Sequence, residues 1–174
     1  MEFKLERSIE ILERTPFVIE ELLNGISKEW TMSNEGENTF SPYDVLGHLL
    51  HGEKTDWIPR MNLILSDKTD KTFQPYDRFA QFEESNGKSL TQLLDEFKKQ
   101  RKENLTVLRS KNITGKDLNK TGTHPSFGEV SLRELLSTWT VHDLNHISQI
   151  CRAMSKQYKE NVGPWIDYLS ILKK

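Results

Sequence analysis

Two histidines four residues apart, His142 and His146 in Trp139-Thr-Val-His142-Asp-Leu-Asn-His146-Ile-Ser-Gln149, carry the clearest chemical signal in this sequence. Four residues is about one helical turn, so both imidazoles lie on one face and can share one metal ion. With Ser131 at zero and about 100° per residue, Leu132, Leu135, Trp139, Ile150 and Ala153 fall between about 40° and 100°, His142 near 20° and His146 near 60°. The pair therefore sits in the apolar stripe of its helix. An unpartnered buried polar group costs roughly 1–3 kcal/mol, and one bound cation would partner both rings. Two satisfied core histidines are the plain alternative. The residue after His142 is Asp143, where the zinc-protease pattern has Glu, so that pattern does not apply.

A second group, Leu46-Gly-His48-Leu-Leu-His51-Gly-Glu53, raises the odds of chemistry: four of the five histidines fall in these two windows. With Val45 at zero, His48 lies about 60° away at the edge of the apolar stripe, and His51 about 60° further out beside Asp44, Lys54 and Thr55. His48 is thus the residue placed to meet His142 and His146, and His51 is expected at the surface or behind a ligand. Three imidazoles are fewer than the four ligands of a closed structural zinc centre, leaving positions for water or substrate. Imidazole suits Zn, Ni, Cu or Fe. Gln149, one turn beyond His146, is placed to accept a ring N–H, and Asp143 less directly. Glu53, near 80° on its helix, points inward either as acceptor or base, or as a buried partner of a Lys or Arg. Cys151 lies about 140° or more from both histidines and is a poor ligand. His124, in Gly-Thr-His124-Pro125, is expected in a loop, with contact to the site mouth as a second role. Trp57 and Trp139 are expected in the core.

The elements that must position these residues are helical. Phe3, Leu5, Ile9, Ile11 and Leu12 recur at helical intervals, and Thr15-Pro16 predicts a cap and the start of a second short helix running to about Asn24-Gly25. Residues 26–40 are expected as loop. Ser41-Pro42 repeats the cap-plus-proline start of a helix from Tyr43 to about Leu65, with a kink or short break at Pro59. Residues 66–88 are expected as a long connection. Ser89 with Gln92 and Ser131 with Glu134 are capping boxes. The first opens a helix to about Ser110 with Leu93, Leu94, Phe97, Leu105 and Leu108 inward and Lys98, Lys99, Arg101 and Lys102 on a solvated face. The second opens the histidine helix, ending near Tyr158. Residues 111–130 are loop with a short extended piece at Phe127-Gly-Glu-Val, and Gly163-Pro164 restarts a short helix from Trp165 to Leu172. The expected fold is all-α: a four-helix bundle with long crossover connections, in one domain, 1–174.

Composition bounds the function. The formal charge is −2, from 24 basic and 26 acidic residues, which gives no electrostatic case for nucleic acid. A single cysteine excludes an internal disulfide and suits a reducing compartment. No segment approaches the ~20 apolar residues of a membrane span, and the N-terminus lacks a signal-peptide stretch. A cytoplasmic chain with no membrane partner is expected.

The sequence resembles the DinB-like (DinB/YfiT) superfamily along nearly its whole length. The resemblance rests on Leu12-Glu-Arg-Thr15-Pro16, Asp44-Val-Leu-Gly-His48-Leu with Glu53, His124-Pro125-Ser-Phe-Gly128-Glu, His142-Asp-Leu-Asn-His146-Ile-Ser-Gln149-Ile, and Gly163-Pro164-Trp165-Ile-Asp-Tyr168-Leu. It implies helices in up-down-down-up order, a frequent homodimer, induction under stress, and a divalent metal (Zn or Ni first, Fe or Mn also) on His48, His142 and His146. Some members resemble low-molecular-weight thiol transferases that use bacillithiol, mycothiol or glutathione; others are called hydrolases. Three readings follow. In the first, a metal-dependent enzyme transfers a small thiol to an electrophile. In the second, a metal-dependent hydrolase uses Glu53 as base, and in the third the chain is a non-enzymatic metal-binding helical dimer. The catalytic group itself, a metal-bound water or thiolate, stays open.

Overall fold

The computed structural model describes residues 1–173. Four helical arms make the bundle: α1 (Leu5–Leu23), α3 (Pro42–Thr55) continued by α4 (Trp57–Leu65), α6 (Leu90–Ser110) and α7 (Leu132–Lys156). Short helices α2 (Lys28–Met32) and α5 (Ala80–Ser85) lie in the connections, and β1 (Thr121–His124) pairs antiparallel with β2 (Gly128–Ser131). Residue contacts give the directions. The start of α1 lies on the start of α7, with Arg133 over Phe3. Glu13 meets Arg109 and Glu20 meets Lys98, so α6 runs against α1. Tyr43 meets Lys88 and Glu53 meets Arg101, so α3 runs with α6. His48 meets His146 and Trp57 meets Trp139, so the α3–α4 arm runs against α7. The order is up-down-down-up, as expected.

The three serine caps form as the sequence predicts. Ser41, Ser89 and Ser131 each accept from the backbone N–H three residues on, and Asp44, Gln92 and Glu134 each close the box. Prolines behave differently. Thr15-Pro16 starts no second helix: α1 is one 19-residue helix with Pro16 inside it, and the Thr15 hydroxyl donates back to the Ile11 carbonyl. Pro16 has no N–H, so the Leu12 carbonyl loses its partner one turn on. The Arg101 guanidinium supplies that bond instead, at 2.7 Å. Pro59 acts upstream of itself, because its missing N–H and its ring disturb the turn from Thr55. The expected break accordingly falls at Asp56, between α3 and α4.

Other expectations need correction. Residues 26–40 and 66–88 hold α2 and α5, which are too short to show a helical period in the sequence. Residues 111–130 are not otherwise all loop: the expected extended piece forms as β2, but it pairs with β1 in a hairpin tied to Phe73 through the Thr123 carbonyl, with Gly128 at φ +74° closing its turn. The segment after Gly163 is 3₁₀ rather than α-helical.

The core has two apolar parts separated by a polar layer. One holds Leu12, Trp57, Met61, Ile64, Leu105, Leu135 and Trp139. The other holds Ile19, Leu46, Leu50, Leu93, Phe97 and Ile150. Between them, on successive arms, fall Pro16, Glu53, Arg101 with Asn104, and His142, Asp143 and His146. His142 and His146 thus belong to a polar belt between the two parts, and His48 meets them from the α3 turns of the second part.

Candidate metal centre

His48 comes from the middle of α3, and His142 and His146 from consecutive turns of α7, which runs antiparallel beside it. His142 Nε2 lies 3.2 Å from His48 Nε2 and 3.1 Å from His146 Nε2. Among the described residues, these three histidines form one group whose ligand atoms all lie within 4.8 Å of one another. His48 and His142 are partly exposed, so solvent reaches the group.

Two of the three outer ring nitrogens are held, and His142 Nδ1 is buried without a partner. His48 Nδ1 lies 3.1 Å from the Tyr76 hydroxyl, and His146 Nδ1 lies 2.8 Å from Gln149 Oε1. Amide oxygen only accepts, so His146 donates from Nδ1 and turns its Nε2 lone pair to the centre. Hydrogen bonds among the rings alone cannot satisfy this arrangement. One nitrogen, His142 Nε2, faces two others and has either one proton or one lone pair to offer. A cation between the three satisfies all of them. The spacing also fits: metal–nitrogen bonds of about 2.0–2.1 Å put tetrahedral ligand nitrogens about 3.3–3.4 Å apart, and right-angled ones about 2.9–3.0 Å.

Burial keeps the three rings neutral. Burial, reinforced by His146, lowers the His48 pKa from 6.5 to about 4. Burial, with His146 and His48, lowers that of His142 to about 2. His146 is also lowered by burial, against the opposing pull of Gln149 and Asp143. Neutral imidazole is the form that binds metal. Tyr76, buried and near Asp56 and Glu84, has a raised pKa and remains a phenol.

Beneath the rings lies a charge cluster. Arg101 donates to both Asp143 oxygens at 2.6 and 3.0 Å and to Glu53 Oε1 at 2.9 Å. Glu53 also accepts from Trp139 Nε1 at 2.9 Å and from Asn104 Nδ2 at 2.9 Å. Arg101 and Glu53 are each 1% exposed, and Asp143 is 0% exposed. Burial alone would lower the Arg101 pKa, but Glu53 and Asp143 outweigh it and hold it raised.

The expected residues sort as follows. His48, His142 and His146 converge, and Gln149 meets His146. Glu53 takes the ion-pair alternative and bonds to no histidine. Asp143 faces Arg101 rather than a ring nitrogen. His51 is not a surface residue: it is 4% exposed, bonded through Nδ1 to Glu84 at 2.9 Å and packed on Tyr76. Asp44 and Lys54 neighbour it on the wheel, but α5 and the 66–79 connection cover it. His124 ends β1, stacks on Phe127 and accepts from the Ser126 N–H, away from the other rings. Trp57 and Trp139 are core and stack on each other.

The sequence reading missed Tyr76, Arg101 and Asn104. For Arg101 the signal was present. With Leu90 at zero it falls near 20°, inside the stripe of Leu93, Leu94, Phe97 and Leu105, although its neighbours form a charge run. Tyr76 sits in an irregular connection and has no periodicity to reveal it.

Fold and site define a four-helix bundle with an open tri-histidine centre at mid-height. The family comparison agrees. The DinB superfamily matches residues 11–150, and the chain belongs to it. Its structure is similar to that of YfiT from Bacillus subtilis, described as "a probable metal-dependent hydrolase with an unusual four-helix bundle topology". The TM-score is 0.75 at 19% identity, over 88% of this chain and 87% of that one. No curated protein matches the sequence. Among the described residues, no helix is long and apolar enough to cross a membrane.

Proposed function

We propose that the chain is a divalent-metal-dependent enzyme that transfers a low-molecular-weight thiol of the bacillithiol type to an electrophile. The observation that carries this reading is the convergence of three neutral imidazole nitrogens on one partly exposed point, while both nearby carboxylates are engaged by Arg101. A divalent ion held there, Zn or Ni as the resemblance implies, would lower the pKa of a thiol or water bound to it.

The chain's own residues supply the rest. His48, His142 and His146 would hold the ion, and Tyr76 and Gln149 fix two of the rings through their Nδ1 atoms. Glu53 and Asp143 are tied to Arg101, and neither bonds a histidine of the centre. A thiol made acidic ionises without a dedicated base, whereas attack by water gains from one. That difference favours the thiol. Hydrolysis is the second reading, supported by what is said of YfiT.

The test begins with elemental analysis of untagged protein. Thiol conjugation to electrophiles and hydrolysis without thiol are then assayed with and without chelator. The expected outcome is about one divalent ion per chain and thiol-dependent turnover that chelator, His142→Ala and His146→Ala each abolish. Turnover that survives those substitutions would overturn the proposal. Chelator-sensitive hydrolysis without thiol would select the second reading. A metal that only stabilises the fold, with no turnover, would make the chain a non-enzymatic metal protein.

A further inference from the structure

Beside His48 the surface carries a cation and three aromatic rings that the metal centre does not use. Phe40 packs 6.0 Å from His48, centroid to centroid, and meets Phe82 edge-on at 5.7 Å. Phe79 stacks on Phe82 at 6.4 Å. The Arg78 guanidinium lies over both ends of this group, 5.7 Å from the Phe40 ring and 5.1 Å from the Phe79 ring. Phe79 and Phe82 are 60% and 42% exposed, and Arg78 is exposed as well.

Such a cluster is not ordinary surface. Large aromatic residues left in water beside a centre of reactive groups mark a binding face. Arg78 has no carboxylate partner among the described residues; the acids around it serve elsewhere. Asp77 caps the turn at Phe79 and Ala80, and Glu84 is taken by His51 and Lys54. The guanidinium lies against two rings and its N–H groups meet no carboxylate, so they are available to one from a ligand. The segment is anchored to the centre, since Tyr76, two residues earlier, bonds His48.

We propose that Arg78, with Phe40, Phe79 and Phe82, forms a substrate subsite beside the tri-histidine centre, for a small organic molecule with an anionic group, a carboxylate foremost, and an apolar body. The anionic group pairs with Arg78, the body lies on the phenylalanine rings, and the reacting end extends past His48 to the centre. This deepens the thiol reading above and rests on it.

The test uses full-length protein loaded with Co(II) and two thiols of equal length, 3-mercaptopropionate and 3-mercaptopropan-1-ol. Each is titrated while the visible absorption of the Co(II) protein is followed. The wild type is expected to bind the carboxylate thiol about three- to fivefold more tightly, the preference an exposed ion pair gives. Raising ionic strength should shrink that preference. Arg78→Ala should abolish it while leaving affinity for the neutral thiol unchanged, and Arg78→Lys should keep part of it. An equal ratio in wild type and Arg78→Ala overturns the subsite and leaves the metal reading intact. A chain that holds no ion, or a held ion that admits neither thiol, overturns both.

Discussion

At the scale of single residues, burial decides what each polar group can do. His48, His142 and His146 are neutral because desolvation disfavours their charged forms, which leaves their lone pairs available to an ion. The same shifts set a pH dependence for the metal-free protein. In the unfolded chain these rings take up protons near pH 6.5, whereas in the folded chain His48 refuses one until about pH 4 and His142 until about pH 2. Their contribution is therefore fully present above pH 6.5 and is lost as pH falls through that window. Urea unfolding of metal-free protein should show stability falling from pH 6.5 towards 4. In His48→Ala that slope should be shallower, and an unchanged slope would contradict the assignment.

Arg101 makes the contrast between buried and exposed charge measurable. Arg101→Met strands Glu53, Asp143 and the Leu12 carbonyl, and should cost about 3–5 kcal/mol in urea unfolding. Arg109→Ala breaks an ion pair with Glu13 whose side chains are 50% and 47% exposed, and should cost no more than about 1 kcal/mol. Equal costs would show that the buried network is not a clamp. Gln149 bonds His146, so its effect is expected on metal affinity rather than on the fold. Gln149→Ala should weaken metal affinity about 10- to 100-fold with little change in the melting of metal-free protein.

At the scale of elements, what was legible depended on length and period. The helices bearing Ser41, Ser89 and Ser131 caps announced themselves, since caps and apolar stripes are local signals repeated over many turns. Pro16 was misleading, because a proline after Thr resembles a helix start. What overrides it is tertiary: Thr15 is 1% exposed, and Arg101, 89 residues beyond Leu12, takes the orphaned Leu12 carbonyl. Helix α5 was invisible for its shortness, yet it fixes the site's flank. It packs on α3 at Gly47, next to His48. A Cβ there would lie 2.5 Å from Gln81 Oε1 and 2.6 Å from Ser85 Oγ. Gly47→Ala should therefore push α5 away and cost about 1–3 kcal/mol in chemical denaturation. A neutral effect would mean α5 sits loosely on the bundle.

At the scale of the whole molecule, the centre ties α3 to α7 across the polar belt that divides the core. Any ion that binds the folded chain alone adds stability by mass action, about 2.7 kcal/mol at a hundredfold excess over Kd. For a domain of this size, that corresponds to a rise in Tm of about 5–10 °C. A thermal melt series in Zn(II) or Ni(II) should show it, and the His142→Ala protein should not respond.

By itself the sequence determined the helical class, the capped starts of three arms, and the three histidines. Those follow from periodicity and from residue types that water would not leave unpartnered in an apolar stripe. Only the tertiary structure decided which groups complete the site. Tyr76 reaches His48 from an irregular connection, and Arg101 enters from a helix whose charge run resembled surface. These partners are far apart in sequence and share no period, so no local pattern records that they meet. His142 and His146 face each other because a helix repeats, but what surrounds them is set by the packing of the other three arms and the connection between two of them.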